Sequence, residues 1–242
     1  MNILALESSA RVASAALLRD DEIRGEICTN CGLVHSRTLA PMVQKLLDVT
    51  GFDIKNTDVL AVANGPGSFT GVRIGVSIVK GTALVLEKPA IGVSSLFAIS
   101  QNAVVLDDVL ACTVMDARRN RFYTALFNIK NSKVTRVLND SVVNAEDLFS
   151  KLCDYENRNI VILGDGADLF YNYIQSKDKK KLRARVIDSR YKYQSARGVA
   201  YAAREMILSN MCTLSVDDNL QINYLQPCQV ERELDKSTKL NT

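Results

Sequence analysis

The densest run of chemically suggestive residues is Gly65-Pro66-Gly67-Ser68-Phe69-Thr70-Gly71-Val72-Arg73. It lies between a strand-like and a helix-like segment, where backbone N–H groups could cradle a phosphate. Its spacing departs from both familiar phosphate loops. A P-loop places Lys-Ser/Thr after its last glycine, whereas Gly71 is followed by Val72-Arg73. The dinucleotide fingerprint has two residues after its second glycine, and here there are three. The structural alternative is that Ser68 or Thr70 caps a helix and the glycines make the turn.

Two acids end apolar, strand-like runs: Glu7 and Asp116. Such carboxylates, facing across a cleft, can orient a metal-bound water, and acids at strand ends can equally just face solvent. Cys28-x-x-Cys31 with His35 has zinc-like spacing for three ligands, but a structural site takes four and no second pair is near, so these cysteines read as incidental. His35 is the only histidine. That rules out a two-histidine metal site and forces any Ser-His-acid triad through one residue. There is also no G-x-S-x-G elbow. The expectation is no catalytic set, no metal and no cofactor.

The elements that must position these residues follow from periodicity. Asn2–Leu6, Val12–Leu18 and Ile23–Cys28 read as an antiparallel meander. Leu39, Met42, Val43, Leu46 and Leu47 mark one face of a helix that ends at Gly51 and carries Pro41 near its start. Val59–Ala63 is a strand before the glycine loop, and Phe69–Glu87 a long helix. Its apolar residues form two faces, Val72, Val76, Val79, Ala83 and Leu86 on one, and Ile74, Ile78, Gly81 and Val85 on the other. One covered face needs only about a third of a helix's circumference. The helix is therefore buried within the monomer or covered by another chain. Gly71, Gly75 and Gly81 each cost about 1 kcal/mol against Ala, which predicts close approach to another helix. Pro89–Val93 is a strand and Leu96–Asn102 a helix.

Ala111–Met115, Arg121–Ile129 and Lys133–Val137 then repeat the opening meander. Sliding the N-terminus by 109 residues sets Leu6-Glu7 on Met115-Asp116 and Ala16-Leu17 on Ala125-Leu126. Ile160–Gly166 echoes Leu60–Gly67, and a helix over Ala167–Gln175 follows. The chain reads as a diverged duplication with halves at 1–108 and 109–220 and a C-terminal segment at 221–242, of which 229–242 frays.

The 242 residues are 47% apolar and 24% charged, the balance of a globular protein. Net charge is +3, too mild to argue for nucleic acid by itself. Lys177–Arg185, with six positive charges and one negative, reads as a surface loop and the strongest local basic patch. No apolar run approaches the ~18–20 residues of a membrane span. The first residues resemble neither a signal peptide nor an anchor. Scattered cysteines point to a reducing cytoplasm.

From Gly65 to Gly75 the chain resembles the signature of the TsaB (YeaZ) family of tRNA threonylcarbamoyladenosine biosynthesis proteins. The resemblance continues through Ile3–Ser9, His35-Ser36, Gly92–Leu96, Asp116–Arg119, Gly164–Gly166 and Tyr224-Leu225. Glu7-Ser8 stands where the family usually has Asp-Thr, and Ile222–Gln226 where it has Pro-x-Tyr-Leu-Arg. The resemblance implies an α/β fold of two actin-like (ASKHA, ribonuclease H-like) halves. It implies a non-catalytic scaffold for the transferase TsaD, with TsaE joining, that serves threonylcarbamoylation of adenosine 37 in tRNAs reading codons that begin with A. The TsaD metal histidines fall on Ser95 and Ile99. Glu7 and Asp116 would mark a vestigial nucleotide cleft. The contact with TsaD, or with a second copy in its absence, is expected on helices 36–50 and 69–87, through Leu39, Met42, Val43, Leu46, Arg73, Val76, Ser77 and Ile78. A stand-alone actin-like ATPase or sugar kinase is the alternative, and a peptidase a weaker one.

Overall fold

Two five-stranded sheets carry one strand order. The computed structural model describes residues 1–32, 34–177, 182–214 and 220–226. In the first sheet β1 (Asn2–Glu7), β2 (Ala13–Arg19), β3 (Glu22–Thr29), β4 (Val59–Gly65) and β5 (Ala90–Ser94) run β3-β2-β1-β4-β5. In the second, β6 (Val109–Asp116), β7 (Arg121–Lys130), β8 (Lys133–Asn144), β9 (Ile160–Leu163) and β10 (Ala184–Val186) run β10-β9-β6-β7-β8, the same order read from the other edge. Each sheet is an antiparallel meander with two parallel strands added beside its first. This is the duplicated α/β, actin-like fold.

The helices make layers. α1 (His35–Thr50) and α2 (Phe69–Leu86) cover the outer face of the first sheet. α3 (Ser95–Ser100) lies between the sheets. α4 (Ala145–Cys153) and α5 (Ala167–Lys177) cover the outer face of the second. After the short α6 (Ser189–Lys192), α7 (Ala196–Leu208) returns between the sheets and packs on β1 and β2. Its buried residues are mostly Ala and Gly. A Cβ on Gly198 would stand 2.4 Å from the Ala98 carbonyl oxygen of α3, so that crossing needs glycine.

Strand alternation sorts the core. Ile3 and Ala5 face the central layer and Leu4 and Leu6 the outer helices, while in β6 Ala111 and Met115 face inward and Leu110, Cys112 and Val114 outward. This corrects the repeat. Glu7 pairs with Ser14 and Met115 with Tyr123. The counterpart of Glu7 is therefore Met115, a shift of 108, while β2 and β7 keep 109. The β6–β7 turn has one residue more, and a one-residue slip exchanges strand faces. Asp116 shares its strand face with Leu110, Cys112 and Val114, so it is not the partner of Glu7.

Two further expectations change, and a third falls on residues that are not described. Residues 177–185 are not one loop: Lys177 closes α5, Ala184–Val186 is β10, and 178–181 lie outside the described residues. The tail 229–242 also lies outside them. Finally, α2, 18 residues with a mean hydropathy of 1.5, is long and apolar enough to cross a membrane by length and composition. Here one of its faces packs on the first sheet.

Candidate functional site

A polar cleft of about 560 Å³ opens between the halves. Its walls are the β1–β2 turn with Ser9 and Arg11, the glycine loop, the end of β6 with Asp116 and Arg118, and Asp165 after β9. Ile222–Gln226 completes its lining.

The glycine loop is built for close packing. Ser68 caps α2 by accepting from the Gly71 N–H at 3.3 Å, and its own N–H donates to the Ser9 carbonyl at 2.6 Å. A Cβ on Gly71 would stand 2.1 Å from the Ser8 carbonyl oxygen, and one on Gly75 2.6 Å from Ser8 Oγ. The Ser8 hydroxyl donates to the Gly71 carbonyl at 2.9 Å. These glycines admit the β1–β2 turn, not another helix, and nothing lies within 4 Å of a Cβ on Gly81. Gly65 holds a left-handed φ of 112° where a side chain would strike the Asn223 carbonyl at 2.6 Å. Asn223 N–H donates to the Asn64 carbonyl at 2.8 Å, and Asn64 Nδ2 to the Gln221 carbonyl at 2.9 Å. Phe69, Arg73 and Tyr224 close this corner. The Arg73 guanidinium sits 3.7 Å over the Phe69 ring, and Phe69 and Tyr224 have centroids 5.3 Å apart. Phe69 and Tyr224 stay partly exposed, and Thr70 is exposed.

The carboxylates divide. Asp116 lines the cleft and accepts from the Arg118 N–H at 2.8 Å. Arg118, Arg119 and Asn120 all take left-handed φ values, which close the hairpin and set Arg118 at the rim. Glu7 does not line the cleft. It is fully buried, takes the Ser9 N–H on one oxygen, and leaves Oε2 without a partner. Burial pushes its carboxyl from an ordinary 4.5 up to about 7. Asp165, read from sequence only as part of the Gly-Asp-Gly echo, is a cleft residue that reasoning missed. Burial raises its pKa, and it accepts from Gln194 Nε2 at 3.2 Å. Its signal was the repeat: it follows β9 as the glycine loop follows β4.

His35 Nε2 lies 2.7 Å from the Ala10 carbonyl oxygen, and Cys28 and Cys31 are exposed. Among the described residues no group of three or more His, Cys, Asp or Glu side chains converges as metal ligands. Ser95 and Ile99 are fully buried in α3.

The residues expected at a partner surface separate. Leu39, Leu46 and Val76 belong to the chain's own core, at 0%, 0% and 4% exposure, so they cannot meet a partner directly. Met42, Val43 and Ile78 are half-buried, and Arg73 and Ser77 are exposed. The second face of α2 ends in Leu84 and Val85, exposed at 79% and 81%.

The family model described as "TsaD: tRNA N6-adenosine threonylcarbamoyltransferase" matches residues 25–221. The tRNA threonylcarbamoyladenosine biosynthesis protein TsaB of Bacillus subtilis is 34% identical over 175 residues, 72% of this chain and 76% of that one. Its Escherichia coli namesake is 37% identical over 126 residues, 52% of this chain and 54% of that one. YeaZ from Pseudomonas aeruginosa superposes with a TM-score of 0.76 at 23% identity, over 92% of this chain and 99% of that chain.

Proposed function

The chain belongs to the TsaB (YeaZ) family of tRNA threonylcarbamoyladenosine biosynthesis proteins, and from that premise we propose that it is a non-catalytic scaffold subunit. In this reading it pairs with the transferase TsaD in the cytoplasm, with TsaE and tRNA joining the complex. The observation that carries the reading is the uncovered face of α2. Ile74 and Ile78 are half-buried, Leu84 and Val85 are exposed, and Gly81 leaves room for a close crossing. Two helices from the partner on this face would build a four-helix packing with α1 and α2. The same face would take a second copy when TsaD is absent. Ser95 and Ile99, at the positions of the TsaD metal histidines, cannot ligate iron or zinc, which supports a metal carried by another chain.

The test is co-purification with TsaD of the same organism, followed by an assay of threonylcarbamoyladenosine formation with and without this chain. Stable co-purification and product formation that depends on the chain are expected. ATP turnover by the isolated chain that disappears in Asp116→Asn would instead favour the kinase reading.

A further inference from the structure

A second cavity, of about 620 Å³, shares no lining residue with the cleft. It follows one face of α7, where Arg197, Tyr201, Arg204 and Leu208 recur at helical spacing. From Arg197 to Leu208 the helix advances roughly 16 Å. The facing wall is Val104 and Val105 of the 3-10 turn Gln101–Val105, with Tyr191 and Lys133. The volume lies within the range of small-molecule sites, about 300–1,000 Å³, and the length makes it a narrow trough. Val105 and Leu208 stand 61% and 62% exposed along it.

Its charges are unbalanced. Arg204 is ion-paired with Asp21. Glu205, the only lining carboxylate among the described residues, accepts from Gln101 Nε2 at 3.2 Å. Glu26 takes the backbone N–H of Arg197 at 3.2 Å. The side chains of Lys133 and Arg197 have no ion-pair partner among the described residues. Lys133 and Arg197 together outnumber the one lining carboxylate, Glu205, so a trough with tyrosine and aliphatic walls and a net positive charge complements a molecule with a flat or extended apolar body and one anionic group.

We propose that this trough is a binding site for a small amphipathic anion, an apolar carboxylate or its sulfonate equivalent. The body lies against Tyr191, Tyr201, Val104 and Leu208, and the anionic group takes the charge of Lys133 and Arg197. The site does not depend on the scaffold role, because it uses neither the face of α2 nor the cleft.

The test titrates the full chain with 8-anilinonaphthalene-1-sulfonate, followed by fluorescence, with decanoate as competitor. One saturable site displaced by decanoate is expected. The double variant Lys133→Glu/Arg197→Glu should weaken it by about tenfold or more while its circular dichroism stays native. N-phenyl-1-naphthylamine, which has the same aromatic body without the sulfonate, should bind correspondingly more weakly. Unsaturable binding, an unchanged affinity in the double variant, or equal binding of the neutral analogue overturns the proposal. So does a loss of binding in Phe69→Ala, which would move the site to the cleft. Self-association abolished by Leu208→Lys would assign the face to a second copy and overturn it as well.

Discussion

Arg73 Nε donates to the Tyr224 hydroxyl at 2.8 Å, joining residues 151 positions apart. The same guanidinium lies over Phe69, so the first turn of α2 and the C-terminal strap form one unit. The strap also bonds to both the backbone and the side chain of Asn64, which fixes it over the glycine loop.

Removing that hydroxyl should loosen the strap without unfolding the protein. For Tyr224→Phe the expected loss of global stability is about 1 kcal/mol or less, because the bond is exposed. Amide exchange at 221–226 should quicken while exchange in β1 stays unchanged. Equal exchange in both proteins would show that the Asn64 bonds suffice.

Glycines in α2 should divide by neighbour. Gly71→Ala drives a Cβ into the Ser8 carbonyl, and the expected cost is about 1–3 kcal/mol. Gly81→Ala meets nothing and gains up to about 1 kcal/mol from helix propensity. Urea denaturation of the two variants, expected to shift in opposite directions, checks this.

Charge placed on the two faces of α2 should separate folding from association. Val76→Asp buries an unpaired carboxylate in the core, and the monomer should lose several kcal/mol, on the order of the 2–5 typical of core lesions. Ile78→Asp should leave a folded monomer that no longer retains TsaD. Retention of TsaD by a folded Ile78→Asp protein would move the interface elsewhere.

Stability should fall as pH rises through the range set by Glu7. Its carboxyl titrates near 4.5 when unfolded and about 7 when folded, so the folded state holds the extra proton between those values. Unfolding free energy should therefore decline from about pH 4.5 to 7 and level off above, a loss of roughly 3 kcal/mol. Asp165, also raised by burial, adds in the same direction. Thermal melts of Glu7→Gln at pH 5, 6, 7 and 8 should lose most of this slope, and a variant as steep as the native chain would refute the assignment.

Much of the fold was legible. The meander, the helix ending at Gly51 and the strand–loop–helix around Gly65 each carry their own periodicity and turn residues. α7 was not seen, because its buried residues are mostly Ala and Gly, which give little hydrophobic contrast and matter only where two sheets crowd one helix. The repeat was visible, but strands buried on both faces lack alternation, and nothing in such a run fixes register to one residue. Glu7 was therefore matched to Asp116 when its counterpart is Met115. In the cleft, the glycine loop announced itself by type and spacing. Asp165 and the Tyr224 strap did not, because both act through neighbours more than 20 residues away.

The Ala196 N–H donates to Ser14 Oγ at 2.8 Å, and this bond has a consequence for synthesis. β1 and β2 leave the ribosome well before α7, for the helix that closes their inner face is made after both meanders. At 5–20 residues per second the inner face of the first sheet waits on the order of ten seconds for its cover. During that interval Ile3, Ala5 and Leu18 lack the helix that covers their side of the sheet in the folded chain.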